Sequence, residues 1–244
     1  MFDEPHLSAS VFEWACWLKK EIYMTDYRIN HMPEPLSPEL VQKLQLVQTA
    51  TVGHFRQWGF MDRGIRPLLR GKRVAGVAVT VAIPGPDSTL LGHALGLLRP
   101  GDFVVVDRLG DDRYACWGGG VAASAKAAGA VGAIVDGPCT DLLEIEEADF
   151  PMWCRGLSSI TAGWYNLGGA MNHPIACGNV PVLAGDIVLA DEEGVVIMPR
   201  EEANEIADKA IALQEMEKAS RPEMPAEETS DATKMVLEAI NGRT

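Results

Sequence analysis

The sequence predicts a layered α/β or α+β domain, not a regular doubly wound sheet. Three observations carry this. Helix-forming and strand-forming segments mix throughout the 244 residues. Two apolar, β-branched runs, Arg73–Ile83 and Phe103–Val106, read as buried strands. Three further β segments crowd together late in the chain, at Pro174–Cys177, Asp186–Ala190 and Val195–Met198.

Taken in order, residues 1–35 read as a helical extension and linker. Ser8 or Ser10 is placed to cap a helix to about Tyr23, and two prolines mark His31–Pro35. Residues 36–221 read as the main domain. Ser37-Pro38 is a helix-start signal for a helix to about Val47, and a short helix carrying His54 and Phe55 follows. Gly59–Gly71 is loop-like. A helix from Asp87 or Ser88 to about Leu98 separates the two strands. The charged loop Arg108–Tyr114 runs into Gly118-Gly119-Gly120, a helix over Val121–Ala128, and a strand over Gly132–Val135. Asp136-Gly137-Pro138 is turn chemistry. A short acidic helix Leu142–Ala148, a strand Met152–Cys154 and a long loop Gly156–Met171 come next. Glu201 to about Lys218 is a long helix. Residues 222–244 form a tail with a last helix over Asp231–Ile240.

Composition excludes several classes. Net charge is −13, against nucleic acid binding. No apolar run is long enough to span a membrane, and the start does not read as a signal peptide. Five scattered cysteines without metal spacing suggest reduced thiols and a cytoplasmic location.

The stretch from Trp117 to Asp141 carries the chemistry. Gly118, Gly119 and Gly120 let a ligand approach the backbone, and a helix start favours an anion such as a carboxylate. Asp141 stands where it could return to that edge and hold a hard cation. A tight turn and a simple helix cap explain the same residues.

In order along the chain, Thr49-Ala50-Thr51-Val52, Gly76-Val77-Ala78-Val79-Thr80, Arg99-Pro100-Gly101-Asp102, Gly132-Ala133-Ile134-Val135-Asp136-Gly137, Arg155-Gly156, Ala184-Gly185-Asp186 and Ala190-Asp191-Glu192-Glu193-Gly194-Val195 resemble the RraA-like family. That family contains class II 4-hydroxy-4-methyl-2-oxoglutarate / 4-carboxy-4-hydroxy-2-oxoadipate aldolases and regulators of ribonuclease E activity. The resemblance implies a swivelling β/β/α-type fold and a homo-oligomer, trimer or hexamer, with active sites between subunits. It implies a metal-dependent lyase that takes a small 2-oxo acid through a pyruvate enolate, by retro-aldol cleavage or oxaloacetate-type decarboxylation, with Mg2+ or Mn2+. By the same resemblance Trp117, Gly118, Gly119 and Gly120 hold the substrate carboxylate, Asp141 serves the metal, Arg155 lines the cleft, and Glu217 reaches the site of a neighbouring subunit. The alternative it implies is a non-catalytic regulator that binds a protein partner.

Two positions depart from the aldolase pattern. Thr140 stands where the family has arginine, and Gly119 where it has an acid. A preorganised cation in a dry site is worth ~3 kcal/mol or more, and a hydroxyl does not replace it. Arg113 and Asp112 (or Asp111) are the nearest charged residues in sequence that could compensate; solvated loop charges are the simpler reading. Lys126, His54 and His173 read as surface, interface or loop residues. Trp153, Trp164 and Tyr165 read as core or interface packing.

Overall fold

The computed structural model describes residues 26–220 and 231–241. The helix expected before Tyr23, and Arg221, Pro222 and Pro225, lie outside these residues.

The strands are β1 (Tyr27–Ile29), β2 (Arg66–Pro67), β3 (Val74–Ala82), β4 (Asp102–Asp107), β5 (Gly132–Val135), β6 (Met152–Cys154), β7 (Gly169–Met171), β8 (Ile175–Cys177), β9 (Val180–Val182), β10 (Ile187–Ala190) and β11 (Val195–Met198). The helices are α1 (Pro38–Leu44), α2 (Thr49–Gly53), α3 (Thr89–Leu95), α4 (Gly119–Ala127), α5 (Leu142–Glu147), α6 (Ala203–Ser220) and α7 (Asp231–Asn241). A 3₁₀ turn at Arg200–Glu202 leads into α6.

The fold is mixed α/β, as the sequence predicts. β3, β4, β5 and β6 run parallel at its centre. Every residue of β3 is buried, as a strand covered on both faces must be. β3 is long enough to take two antiparallel partners on its other side. Its first half pairs with β10, Val77 opposite Ile187, and its end pairs with β7, Val81 opposite Met171. β10 continues into β11, and β8–β9 form a separate hairpin.

Alternation sends the two sets of β side chains to opposite faces. Val79, Val81, Val104, Val106, Ala133 and Val135 pack under α3, α4 and α5. Ala78, Phe103, Val105 and Ile134 pack toward the β8–β9 hairpin and β10–β11. On the outer side of β10–β11, Ile187, Leu189, Val196 and Met198 meet α1, α2 and α6. The result is a helix layer, a sheet and a second β layer backed by helices.

Some boundaries differ from the sequence reading. Residues 27–29, placed in the extension and linker, form a strand that pairs in parallel with β7. Pro33 and Glu34 are also tied to the body, through Arg99 and Arg200. β7 lies within the expected loop Gly156–Met171, and no strand is expected over β9. Both are three residues long, and β9 contains Pro181, which masks its pattern. The helix expected from Val121 begins two residues earlier, so Gly119 and Gly120 form its first turn.

Candidate active site

The glycine turn and Asp141 meet at the carboxyl ends of β4 and β5, where open parallel sheets bind ligands. After β4 the chain forms the loop 108–117; after β5 it forms 136–141. The two run side by side. Trp117 and Cys139 make a parallel bridge, and the Thr140 amide donates to the Trp117 carbonyl at 2.9 Å.

Asp141 then does something that the sequence does not announce. Its backbone lies in the left-handed region, φ 55° and ψ 46°. It is the residue before α5, yet its side chain caps nothing in that helix. Instead Oδ2 accepts a hydrogen bond from the Gly119 amide, at 3.2 Å, at the start of α4. Oδ1 lies 3.2 Å from the Thr140 hydroxyl, which donates to it. The helix N-terminus favours the negative charge there. The side chain is nevertheless exposed, so both oxygens keep lone pairs for another partner.

Two glycines make this approach possible. A Cβ on Gly118 would come within 2.9 Å of Thr140 Cγ2 and 3.2 Å of Asp141 Cγ, and would overlap Oδ2. A Cβ on Gly119 would come within 2.9 Å of Glu144 Cδ and would overlap its Cβ and Oε2. Glu144, in the first turn of α5, thus lays its carboxylate over Gly119. A Cβ on Gly120 would meet nothing within 4 Å, so the third glycine opens onto free space.

The remaining expected site residues divide. The Trp117 indole is fully buried and stacks on Phe150 at 5.9 Å, so only its main chain is available to the turn. Its Nε1 has no hydrogen-bond partner among the described residues. Arg113 and Asp112 are exposed in the loop 108–117. The Arg113 guanidinium lies 5.6 Å from the Tyr114 ring, and its carbonyl accepts from Ser158 Oγ at 2.8 Å. The Ser158 amide in turn donates to the Cys139 carbonyl at 2.8 Å, next to Thr140. Asp111 is not available: it accepts from the Tyr114 amide and pairs with the buried Arg108.

Arg155 and Glu217 are not brought to the turn within one chain. Arg155 donates to Asp136 at 2.5 Å and to Asp62 at 3.2 Å. Burial alone would lower its pKa, but these two carboxylates more than offset it and the net shift is upward. Glu217 lies 3.8 Å from His54, both on the surface. Lys126 ties α4 to the end of α5 by donating to the Ala148 carbonyl. The His173 carbonyl accepts from Thr80. Trp153 is buried, with Nε1 donating to the Asp191 carbonyl; Trp164 and Tyr165 are exposed on the single chain.

Three residues near the turn carry more than the sequence assigns them. Glu144 is expected only as part of the short acidic helix Leu142–Ala148. Asp87, fully buried, accepts from the Thr89 amide and hydroxyl and from the Tyr165 and Leu167 amides. Arg108, also fully buried, donates to the Asp87, Gly85 and Tyr114 carbonyls. Asp87-Ser88-Thr89 does carry a local cap signal; Arg108 gives none in sequence.

The chemistry available is that of hard oxygen donors. Among the described residues no group of three His, Cys, Asp or Glu is placed to hold a metal. Asp141, Glu144 and Thr140 offer two carboxylates and a hydroxyl beside a turn where Gly118 and Gly119 leave no room for a Cβ. Magnesium keeps several waters and takes one or two carboxylates, so this donor set fits it; zinc prefers a nearly complete protein shell of N and S ligands. The thiols behind the turn offer no nucleophile. Burial pushes Cys116 up to about 11 and Cys139 well above the ordinary thiol range.

A family model described as RraA-like, aldolase/RraA, matches residues 47–197. A protein of Halalkalibacterium halodurans, provisionally named as a 4-hydroxy-4-methyl-2-oxoglutarate aldolase, is 35% identical over 146 residues, 60% of this chain and 69% of that protein. The crystal structure of Streptomyces coelicolor RraAS2, described as an unusual member of the RNase ES inhibitor RraA protein family, matches with TM-score 0.69 at 32% identity. It covers 77% of this chain and 98% of that one. The RNA-processing inhibitor RraA from Thermus thermophilis matches with TM-score 0.56 at 24% identity, over 62% of this chain and 91% of that one, a likeness of fold.

Proposed function

This chain belongs to the aldolase/RraA family, and from that premise we propose that it is a divalent-metal-dependent lyase acting on a small 2-oxo acid. The reaction is retro-aldol cleavage or oxaloacetate-type decarboxylation. The observation that carries the reading is the direction of the Asp141 side chain. It leaves its own helix uncapped and lies on the glycine turn, where a ligand for a cation and an anion-binding helix start adjoin.

In this reading the substrate carboxylate sits at the start of α4. First-turn amides have no partner within their helix and attract anions. Gly120 leaves the room for it. Asp141 holds Mg2+ or Mn2+, which supplies Lewis-acid polarisation of the 2-oxo group when bound. Thr140 orients the Asp141 carboxylate through Oδ1. Arg113 provides positive charge toward the oxygen on which charge develops, a task that Thr140 cannot perform. Asp112 stands beside it for proton movement. Glu217 serves the site of a neighbouring copy, so the working unit is a homo-oligomer, trimer or hexamer. Arg155, held between Asp136 and Asp62, fixes the segment after β6 against the loop after β5.

The likeness to the Streptomyces inhibitor-family protein supports a second reading, a regulator that binds a protein partner. The two separate on metal. Pyruvate release from oxaloacetate and from 4-hydroxy-4-methyl-2-oxoglutarate is measured with Mg2+ or Mn2+ and with EDTA. The lyase reading expects release that EDTA abolishes and that Asp141→Ala lowers at least a hundredfold, the scale of removing one transition-state electrostatic group. No release from either substrate, with no Mg2+ binding by calorimetry, moves the assignment to the regulator.

A further inference from the structure

Residues 1–25 join the described structure beside the most exposed tryptophan among the described residues, Trp164. We infer that residues 11–22 pack as a helix on their own chain, over the surface made by Trp164, Tyr165, Leu167 and Ile29.

The surface is apolar and continuous. Trp164 is 82% exposed, and Tyr165, Leu167 and Ile29 are exposed with it. A Cβ on Gly92 would lie 3.6 Å from Trp164 Nε1, so the indole rests on α3 and turns its other face outward. Tyr27, two residues before Ile29 in β1, donates through its hydroxyl to Asn166 at 2.9 Å. Between α3 and β1 lies a cleft of about 260 Å³, lined in part by Tyr27, Ile29, Leu90 and His93. An exposed apolar patch marks a place that another surface covers.

The occupant follows from where the chain continues. The Asp26 carbonyl accepts from the Gly169 amide at 3.1 Å, and a Cβ on Gly168 would lie 2.8 Å from that oxygen. Trp164 stands four residues before Gly168, hence within ~14 Å of it even along an extended chain. Residues 1–25 therefore enter at the edge of the patch. Their sequence predicts a helix to about Tyr23, and Val11, Trp14, Ala15, Leu18 and Ile22 recur in it at helical spacing. Glu13, Cys16 and Lys20 fall off that stripe. A helix over 11–22 is ~18 Å long. So short a helix is marginal alone in water and needs a face to bury. The family match spans residues 47–197, so this stretch lies outside it. The tether, residues 23–25, holds the stripe at high local concentration over its own patch, which favours the same chain over a second copy.

The loop so covered also backs the candidate site. Ser158 Oγ donates to the Arg113 carbonyl, and the Ala115 amide to the Ile160 carbonyl, both at 2.8 Å. A helix seated on Trp164–Leu167 steadies the loop that leads into Trp117–Gly120.

The test is hydroxyl-radical footprinting of the full-length protein, read by mass spectrometry at Trp164 and Tyr165. Wild type is compared with Trp14→Glu and Leu18→Glu, on the stripe, and with Cys16→Glu, off it. Thermal melting of each variant confirms the fold. The expected result is slow oxidation of Trp164 in wild type and Cys16→Glu, unchanged by dilution, and several-fold faster oxidation in Trp14→Glu and Leu18→Glu. Oxidation of Trp164 in wild type at the rate of the unfolded protein overturns the inference, whatever the variants do. Protection that disappears on dilution assigns the patch to a second copy and overturns it as well. Protection that survives both stripe variants does the same.

Discussion

Asp141 is legible in the sequence as a position but not as a direction. Its αL backbone costs roughly 1–2 kcal/mol for most residues and less for Asp, whose side chain bonds locally. That conformation turns the carboxylate away from α5 and onto Gly119. No local pattern distinguishes this from an ordinary cap, because the deciding partner lies 22 positions earlier. Glu144 was hidden for the same reason: three residues after Asp141, it looks like the far half of a capping box. Gly118 gives the sharpest test at this scale. Gly118→Ala places a Cβ against Asp141 Oδ2 and Thr140 Cγ2. The expected outcome is a loss of about 1–3 kcal/mol in urea unfolding, the usual cost of overpacking. Metal affinity should fall with it, because the carboxylate is what must move.

Among elements, the strong periodic segments were readable and the short ones were not. β3, β4 and β5 announce themselves by apolar, β-branched runs, and both faces of each are covered. β1 and β7 each have three residues and gain their identity from pairing with one another across 142 positions. The loop between Gly156 and Gly168 illustrates what sequence cannot show. Its later part is held by a buried carboxylate, Asp87, which accepts hydrogen bonds from the Tyr165 and Leu167 amides and two more from Thr89. Burial pushes the Asp87 pKa up, but these bonds more than offset it and the net shift is below the ordinary carboxylate value. The sign follows: the stabilisation is fully present above the unfolded value near 3.9 and is lost as pH falls through it toward the lower folded value. Asp87→Asn turns an acceptor toward four donors into a partial donor. Urea unfolding at pH 7 should show about 2–4 kcal/mol lost. The gap between variant and wild type should close below about pH 4.

For the whole molecule, layering places the site. The parallel strands β4 and β5 end on the same edge, and the loops that leave them carry Trp117–Gly120 and Thr140–Glu144. The fold class and the family motifs were readable because they depend on periodicity and on turn residues. The charge pattern of the site was not, since Arg108 and Asp111 neutralise each other while Arg113 and Asp112 stay exposed in the same loop. Beside β9 and β11 the structure carries a groove of about 940 Å³, lined in part by Trp58, Phe60, Val180, Leu183 and Ile197.

The central claim is that this turn makes and unmakes the enolate of pyruvate. It can be tested without the physiological substrate. Any cleavage through that enolate must, in reverse, labilise the methyl protons of pyruvate. Proton NMR of pyruvate in D2O with the full-length protein and Mg2+ reads this directly. The account predicts catalysed loss of the methyl signal by deuterium exchange, abolished by EDTA and by Asp141→Ala. A wild-type protein that binds Mg2+ and pyruvate, yet leaves the methyl signal at the buffer rate, would contradict it.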